Sequence, residues 1–176
     1  MTESTLDDEI YDLRFYLQRS VRYHMRRASF FVKWQRITSF VGVVFGSAAL
    51  TTFIEQVPDA VAIYSALIIT VASAFDLVVG TGQHAWQHND LRKRFLELAG
   101  ELDARPPSEK LVAYIWHKIR RIEADEPAAR ELLNLMVRND VIRSKFSKEE
   151  ADGLVANICW VKRATANLVD WGIEKY

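Results

Sequence analysis

The sequence lacks most of the motifs on which enzyme chemistry depends. Cys159 is the single cysteine in 176 residues, which excludes a disulfide framework and a cysteine-based metal cluster. The 23 basic and 23 acidic side chains balance, so no overall field favours an anionic partner. No GxSxG, phosphate-binding glycine loop or CxxC occurs, although these are common signatures of catalytic sites. We therefore expect no enzyme, no cofactor, no metal and no nucleic-acid partner.

Charge is also absent from two long stretches. Residues 37–54 carry no charged side chain, and residues 60–80 carry only Asp76. A bilayer core about 30 Å thick needs roughly 20 apolar helical residues, and both stretches approach that length. We predict two transmembrane helices, 37–54 and 60–80, joined by a tight outer turn at 55–59. The alternative is a buried hairpin inside a soluble bundle.

Basic residues predict the orientation of this hairpin. They lie before the first stretch and after the second, whereas the connecting turn carries only Glu55 and Asp59. Under the positive-inside rule, both termini face the cytoplasm. No secretory signal opens the chain, so we expect the hairpin to be its own insertion signal. Basic and aromatic residues near the spans are predicted interface anchors: Arg26, Arg27, Trp34, Arg36, Trp86, Arg92, Lys93 and Arg94.

Asp76 is the most informative residue of the predicted hairpin. An ionisable group inside a span costs free energy and usually faces protein or water. One interpretation places Asp76 on the wall of a pore, with Ser65 and Ser73 as further polar candidates. The other places it at the membrane interface, paired with Lys33 or Arg36.

Small residues mark one face of the first predicted span. Gly42 and Gly46 form a GxxxG pattern, and Ala49 continues it. Small side chains let helix backbones approach closely, which matters in lipid because apolar burial gives no incentive to associate there. The face could pack on the second span of the same chain or on a neighbouring protomer.

The flanking segments predict further helices. Apolar residues recur at helical spacing through residues 1–36, namely Leu6, Ile10, Leu13, Leu17, Val21, His24, Ala28 and Phe31. This long amphipathic helix either packs on the cytoplasmic helices or mediates self-association. His84 and His88, one turn apart, are more typical of polar interface residues than of metal ligands.

Residues 81–176 predict a cytoplasmic helical bundle. Pro106 and Pro107 break the helix that follows the membrane, and a second helix occupies residues 108–124. Pro127 suits the first position of a shorter helix. Ser147 and Glu150 form a capping box for a last helix that continues to Gly172. The whole chain, 1–176, is thus predicted to be one all-α domain.

This layout resembles the SLATT domains, two-transmembrane effector modules of bacterial nucleotide-signalling conflict systems. The resemblance rests on the basic, aromatic-rich LRFYLQRSVRYHMRRASFFVKWQR (Leu13–Arg36), the two-span hairpin with its small acidic turn, and EADEP…LLNLMVRND (Glu123–Asp140). It implies a homo-oligomeric, pore-forming effector of anti-phage defence that depolarises the bacterial inner membrane. A sensor or second-messenger synthase would be an associated partner. The alternative function is a membrane-anchored scaffold that recruits a cytoplasmic partner.

Overall fold

The computed structural model describes residues 3–51 and 59–172 of the chain. The described residues form helices connected by turns and loops, with no β-strand among them, which confirms the predicted all-α class. The helices are α1 (Glu3–Thr51), α2 (Asp59–Val79), α3 (Thr81–Ala104), α4 (Glu109–Glu123), α5 (Glu131–Lys145), α6 (Lys148–Asp152) and α7 (Trp160–Thr165). The predicted amphipathic helix and the first predicted span are thus parts of one helix. Residues 52–58 lie outside the described part.

The chain divides into two compact units. Among the described residues, the bundle unit consists of 3–27 and 88–172, and the hairpin unit consists of 28–87. The predicted single domain, 1–176, thus contains two compact units. The helices α1 and α3 each contribute residues to both.

The core of the bundle unit is formed by α1, α3 and α4. Leu13 and Leu17 of α1 have no exposed surface, and they belong to one apolar cluster with Phe95 of α3 and with Ile115 and Ile119 of α4. These side chains recur at three- and four-residue spacing, which places them on one face of each helix. Of the two alternatives for the amphipathic helix, the structure shows packing on the later helices, and self-association stays a prediction.

The break between α3 and α4 follows the sequence signals closely. Helix α3 ends at Ala104, before the two prolines, and Ser108 caps α4 by accepting a hydrogen bond from the amide of Leu111. A serine hydroxyl in this position satisfies one of the amides that the first helical turn leaves unpaired. The apolar face of α4 then packs into the core, with Ile115 and Ile119 fully buried.

Two predicted boundaries in the bundle unit are wrong. Pro127 is not the first residue of a helix, because α5 begins at Glu131 with Arg130 at its N-cap. The last helix does not continue to Gly172. The predicted capping box of Ser147 and Glu150 is present, but it starts a helix that ends at Asp152.

Asn139 of α5 explains why the last helix stops. Its side-chain amide donates to the carbonyl of Ala156 at 2.8 Å and accepts from the amide of Ala156 at 3.1 Å. These two bonds satisfy the backbone carbonyl and amide of Ala156, which in a helix would be paired with other backbone groups. The chain therefore runs as a loop from residue 154 to Cys159, the N-cap residue of α7.

The hairpin unit contains the second half of α1, all of α2 and the first turns of α3. The rings of Phe31 and His84 stack at 5.1 Å, and those of Trp34 and Phe75 lie 5.2 Å apart. A Cβ atom at Gly46 would lie 4.0 Å from the side chain of Ile69. Contact positions that advance along α1 from residue 31 to residue 46 go backwards along the rest of the unit from residue 84 to residue 69, so the two helical segments run antiparallel.

Gly80 connects α2 to α3 with a φ angle of +61°. Residues other than glycine rarely adopt this conformation. Helical hydrogen bonding continues on both sides of it. The amide of Gly80 donates to the backbone carbonyl of Asp76, and the carbonyl of Gly80 accepts from the amide of His84. The turn therefore changes the helix direction locally and leaves few backbone groups unpaired.

Candidate functional site

The surface of the hairpin unit is covered by large apolar side chains. Monomeric soluble proteins rarely expose contiguous apolar patches of this kind, and such patches usually mark protein or membrane contacts. The exposed residues come from both helical segments: Val32, Ile37, Phe40, Val43, Val44, Val61, Ile63, Tyr64, Leu67, Ile68, Val71, Phe75, Leu77, Val78 and Trp86.

One helical run in the described chain is long and apolar enough to cross a membrane. It extends from Ala60 to Ala104, and only 6% of its most apolar window is buried in the structure. The core helix of a soluble protein would be mostly buried, so this low value favours a lipid environment. The first predicted span, 37–54, is helical as far as Thr51, and its last three residues lie outside the described part.

Asp76 is half-buried and has a partner across the Gly80 turn. The hydroxyl of Thr81, which is itself buried, donates a hydrogen bond to the carboxylate. Lys33 and Arg36 are both exposed, and neither pairs with Asp76 in the part of the chain that the structure describes. The hydrogen bond ties the end of α2 to the start of α3.

The predicted polar residues of α2 do not share one environment. Ser65 is buried, whereas Ser73 is exposed. At 100° per residue, Ser65 and Asp76 are only about 20° apart around the helix axis, and Ser73 is about 80° from Ser65. Ser65 and Asp76 therefore lie on the less exposed face of α2, and Ser73 faces outward with the apolar side chains.

The two glycines of the GxxxG pattern also differ. A Cβ atom at Gly46 would be in ordinary van der Waals contact with Ile69, whereas a Cβ atom at Gly42 would meet no atom within 4 Å. Nothing in the part of the chain that the structure describes therefore requires a small residue at Gly42. The side chain of Ala49 lies outside the described part.

The predicted interface anchors of the hairpin unit show two kinds of surroundings. Trp34 lies between the rings of Phe30 and Phe75, and its buried indole nitrogen has no hydrogen-bond partner in the described chain. Trp86 is 70% exposed, and Arg36 is exposed as well. Trp86 and Arg36 are thus accessible to lipid headgroups.

The arginines predicted to anchor the bundle side make internal contacts. Arg26 forms an ion pair with Asp140 of α5. Arg27 donates to the carbonyl of Asn167 at 2.9 Å, and burial lowers the pKa of its guanidinium, with the nearby charge of Arg130 adding to the effect. These contacts hold α1 against α5 and the C-terminal segment.

The basic residues after the second predicted span differ in their ion pairing and exposure. Arg94 forms ion pairs with Asp90 at 2.8 Å and Asp125 at 2.7 Å, and the hydrogen bond to Asp125 raises its pKa. Arg92 is half-buried, and Lys93 is exposed. Lys93 is therefore the most accessible cation of this group.

A buried histidine pair was not anticipated from the sequence. The Nδ1 atoms of His24 and His88 lie 3.0 Å apart in the bundle unit, and Nε2 of His24 lies 3.2 Å from a carboxylate oxygen of Glu126. The ring of His24 also stacks on Phe95 at 5.5 Å. These contacts link α1, α3 and the loop before α5.

The histidines predicted to lie together at the membrane interface are separated. His84 stacks on Phe31 in the hairpin unit, whereas His88 is 2% exposed in the bundle unit. The interface prediction for His88 is therefore wrong, because its side chain turns into the core. The described residues contain no group of three or more histidine, cysteine or acidic side chains placed to hold a metal ion.

No family model, characterised protein or solved structure matches this chain. The resemblance to the SLATT domains therefore stays a prediction from the sequence.

Proposed function

We propose that this protein is a non-enzymatic membrane effector that oligomerises and opens a pore in the bacterial inner membrane. The observation that carries the proposal is the hairpin unit, whose two antiparallel segments expose large apolar side chains such as Phe40, Leu77 and Val78. Exposing such a surface to water costs free energy, whereas contact with lipid does not. The proposal includes two spans with both termini in the cytoplasm, in line with the basic residues that flank them.

A pore requires several copies of the hairpin. Two helices alone cannot enclose an aqueous path. Their outer surfaces face lipid, where a polar group would find neither water nor a protein partner. In a single copy, Ser65 lies buried and Asp76 half-buried, so neither lines an open channel. Packing through the unoccupied face of Gly42 would bring copies together, and Ser73 or Asp76 would then turn towards a shared axis.

The resemblance to the SLATT domains supports the biological setting of this proposal. It suggests that the pore depolarises an infected cell and so stops phage replication. An associated sensor or second-messenger synthase would supply the activating signal.

The test is the membrane potential of bacterial cells after induced expression, read with a potential-sensitive dye. We expect the wild-type chain to collapse the potential and Gly42→Leu to abolish the effect, since a Cβ atom at this position meets no atom of the described chain within 4 Å and the position is thus open to another copy. Val43→Leu is the matched control, because it enlarges the exposed neighbouring residue and leaves the glycine face intact. An unchanged potential with the wild-type chain under every trigger would refute the proposal.

A membrane-anchored scaffold is the second candidate, and one observation favours it. The C-terminal segment of the bundle unit exposes large apolar side chains, including Trp160 at 77%, Leu154 and Leu168. Such a patch is typical of protein contacts. This function predicts that activity survives when both spans are replaced by unrelated apolar helices, whereas a pore would lose it.

A further inference from the structure

A cavity of about 290 Å³ lies beside α5 in the bundle unit. Its wall is formed by the segment that Asn139 fixes through Ala156, by α5 and by single residues of α1, α6 and α7. The lining residues are Arg26, Met136, Asn139, Asp140, Arg143, Asp152, Val155, Ala156, Asn157, Ile158 and Arg163. The cavity is thus built from four helices and one fixed loop.

Arginines from three helices meet at this cavity. Arg26 of α1 is paired with Asp140, so its charge is compensated. Arg143 of α5 and Arg163 of α7 are exposed, and neither forms an ion pair or side-chain hydrogen bond in the described chain. Two cations without ion-pair partners, against the single unpaired carboxylate of Asp152, leave this concave surface with a net positive charge.

The remaining lining gives the cavity a mixed character. Met136 and Ile158 provide apolar surface, and Met136 is almost fully buried. Asp152 adds one carboxylate that is exposed and, within the described chain, unpaired. An occupant therefore has to combine an anionic group, a small carbon body and a hydroxyl or amino donor.

We propose that this cavity binds a small phosphorylated molecule, with Arg143 and Arg163 on the phosphate and Asp152 on a hydroxyl or amino group. The planar guanidinium fork matches phosphate oxygens in a bidentate manner, which is why arginine is preferred at phosphate sites. The volume lies near the lower limit of ligand pockets. A molecule of the size of a sugar monophosphate fits these limits.

This inference does not depend on the proposed pore, because every lining residue belongs to the bundle unit. Failure of one proposal therefore leaves the other standing. A pore without phosphate binding and phosphate binding without a pore are distinguishable results.

The experiment is calorimetric titration of the full chain in phosphatidylcholine nanodiscs, with empty nanodiscs as the blank. Ribose 5-phosphate is the probe, and ribose is its matched compound without phosphate. We expect saturable binding of ribose 5-phosphate and at least tenfold weaker binding of ribose, because the charge-assisted hydrogen bonds to phosphate are lost.

Variants separate this site from general charge attraction. Arg143→Gln and Arg163→Gln should each weaken ribose 5-phosphate binding roughly tenfold or more. Arg163→Lys should restore part of the affinity, since it keeps the charge and loses the fork. Lys110→Gln, which removes an exposed cation of α4, should leave binding within about twofold.

Three outcomes would overturn the proposal. They are no saturable binding of ribose 5-phosphate, equal affinity for ribose, or a loss in Lys110→Gln as large as that in the two arginine variants. Amide hydrogen exchange keeps the test decisive if a variant folds poorly. The wild-type chain should gain protection at residues 152–158 when the probe is added, and unchanged exchange there would count against the site.

Discussion

In the bundle unit, Leu13, Phe95 and Ile115 have no exposed surface, whereas in the hairpin unit Leu77 and Val78 are each 85% exposed. Both units contain α-helices with long apolar stretches, but the bundle unit turns them inward and the hairpin unit turns many of them outward. Burial from water stabilises the first arrangement. The second would be stabilised by an apolar solvent such as lipid, and the proposed function places the hairpin unit there.

The largest expected effect tests the inward arrangement. Phe95→Ala should lower the free energy of unfolding by about 3–5 kcal/mol, because it leaves a cavity beside the rings of His24 and Tyr16. Urea unfolding of the detergent-solubilised chain, followed by circular dichroism, measures this. Leu77→Ala, at an exposed position of α2, should change the same quantity by less than about 0.5 kcal/mol. Equal losses of unfolding free energy in both variants would contradict the difference between the two units.

The next prediction tests the outward arrangement. Val71→Arg places a charge on the exposed face of α2, near the middle of the predicted span. It should disfavour membrane insertion by about 2.5–3.5 kcal/mol, seen as loss of the protein from carbonate-washed membranes. Leu96→Arg adds the same charge at an exposed position of the bundle unit and should leave the membrane fraction unchanged. Full retention of the Val71 variant would indicate that α2 is not in lipid.

A smaller effect concerns polar groups, which need partners wherever they are buried. Asn139→Ala removes both hydrogen bonds to Ala156 and should destabilise the loop at residues 154–159 by about 1–3 kcal/mol. Hydrogen exchange at the Ala156 amide should accelerate accordingly. Asn157→Ala, an exposed neighbour in the same loop, is the control and should leave that exchange rate unaltered. Slow exchange in the Asn139 variant would mean that other contacts hold the loop.

The smallest effect is a pH dependence confined to the bundle unit. Lys118 donates a 2.7 Å hydrogen bond to Glu101, and this bond is the main reason that the pKa of Glu101 is lowered. A lowered carboxyl pKa stabilises the fold at neutral pH. That contribution is lost as the pH falls below the ordinary glutamate value of about 4.3.

Thermal unfolding between pH 6 and about pH 3 tests this contribution. The melting temperature should fall less steeply in Glu101→Gln than in the wild-type chain. Glu97→Gln removes a similar charge one turn earlier on α3 and should keep the wild-type slope. Parallel curves for Glu101→Gln and the wild type would show that the hydrogen bond has no net effect.

The helical elements could be predicted because their signals are local. Ser108 and the two prolines before it define the start of α4 within a few residues, and apolar spacing identifies the buried faces of α1, α3 and α4. Each of these signals acts over one or two helical turns. Periodicity alone is enough to find them.

Features that depend on distant residues could not be predicted in the same way. The sequence separates His24 from His88 by 64 residues and Arg26 from Asp140 by 114. The loop after α6 depends on Asn139, which nothing in residues 147–172 indicates. Arg26 and Arg94 suggested lipid anchors because their basic charge was visible in the sequence and their pairing with acidic side chains was not.

The candidate pore residues show the same limit. The sequence identified Ser65, Ser73 and Asp76 as polar positions in an apolar stretch, but it could not rank them by exposure. Only the folded structure shows that Ser65 is buried and that Ser73 is exposed. The hydrogen bond from Thr81 to Asp76 forms across the turn at Gly80, whose left-handed conformation the sequence pattern does not reveal.

The paired bonds between Asn139 and Ala156 make the C-terminal loop sensitive to a change of a single base. Codons for asparagine and aspartate differ in the first position only, and the two side chains have nearly the same shape. An aspartate could still accept from the Ala156 amide, but its second oxygen would face the Ala156 carbonyl and repel it. The hydrogen-bond polarity of the side chain at position 139 therefore matters more for this loop than its volume.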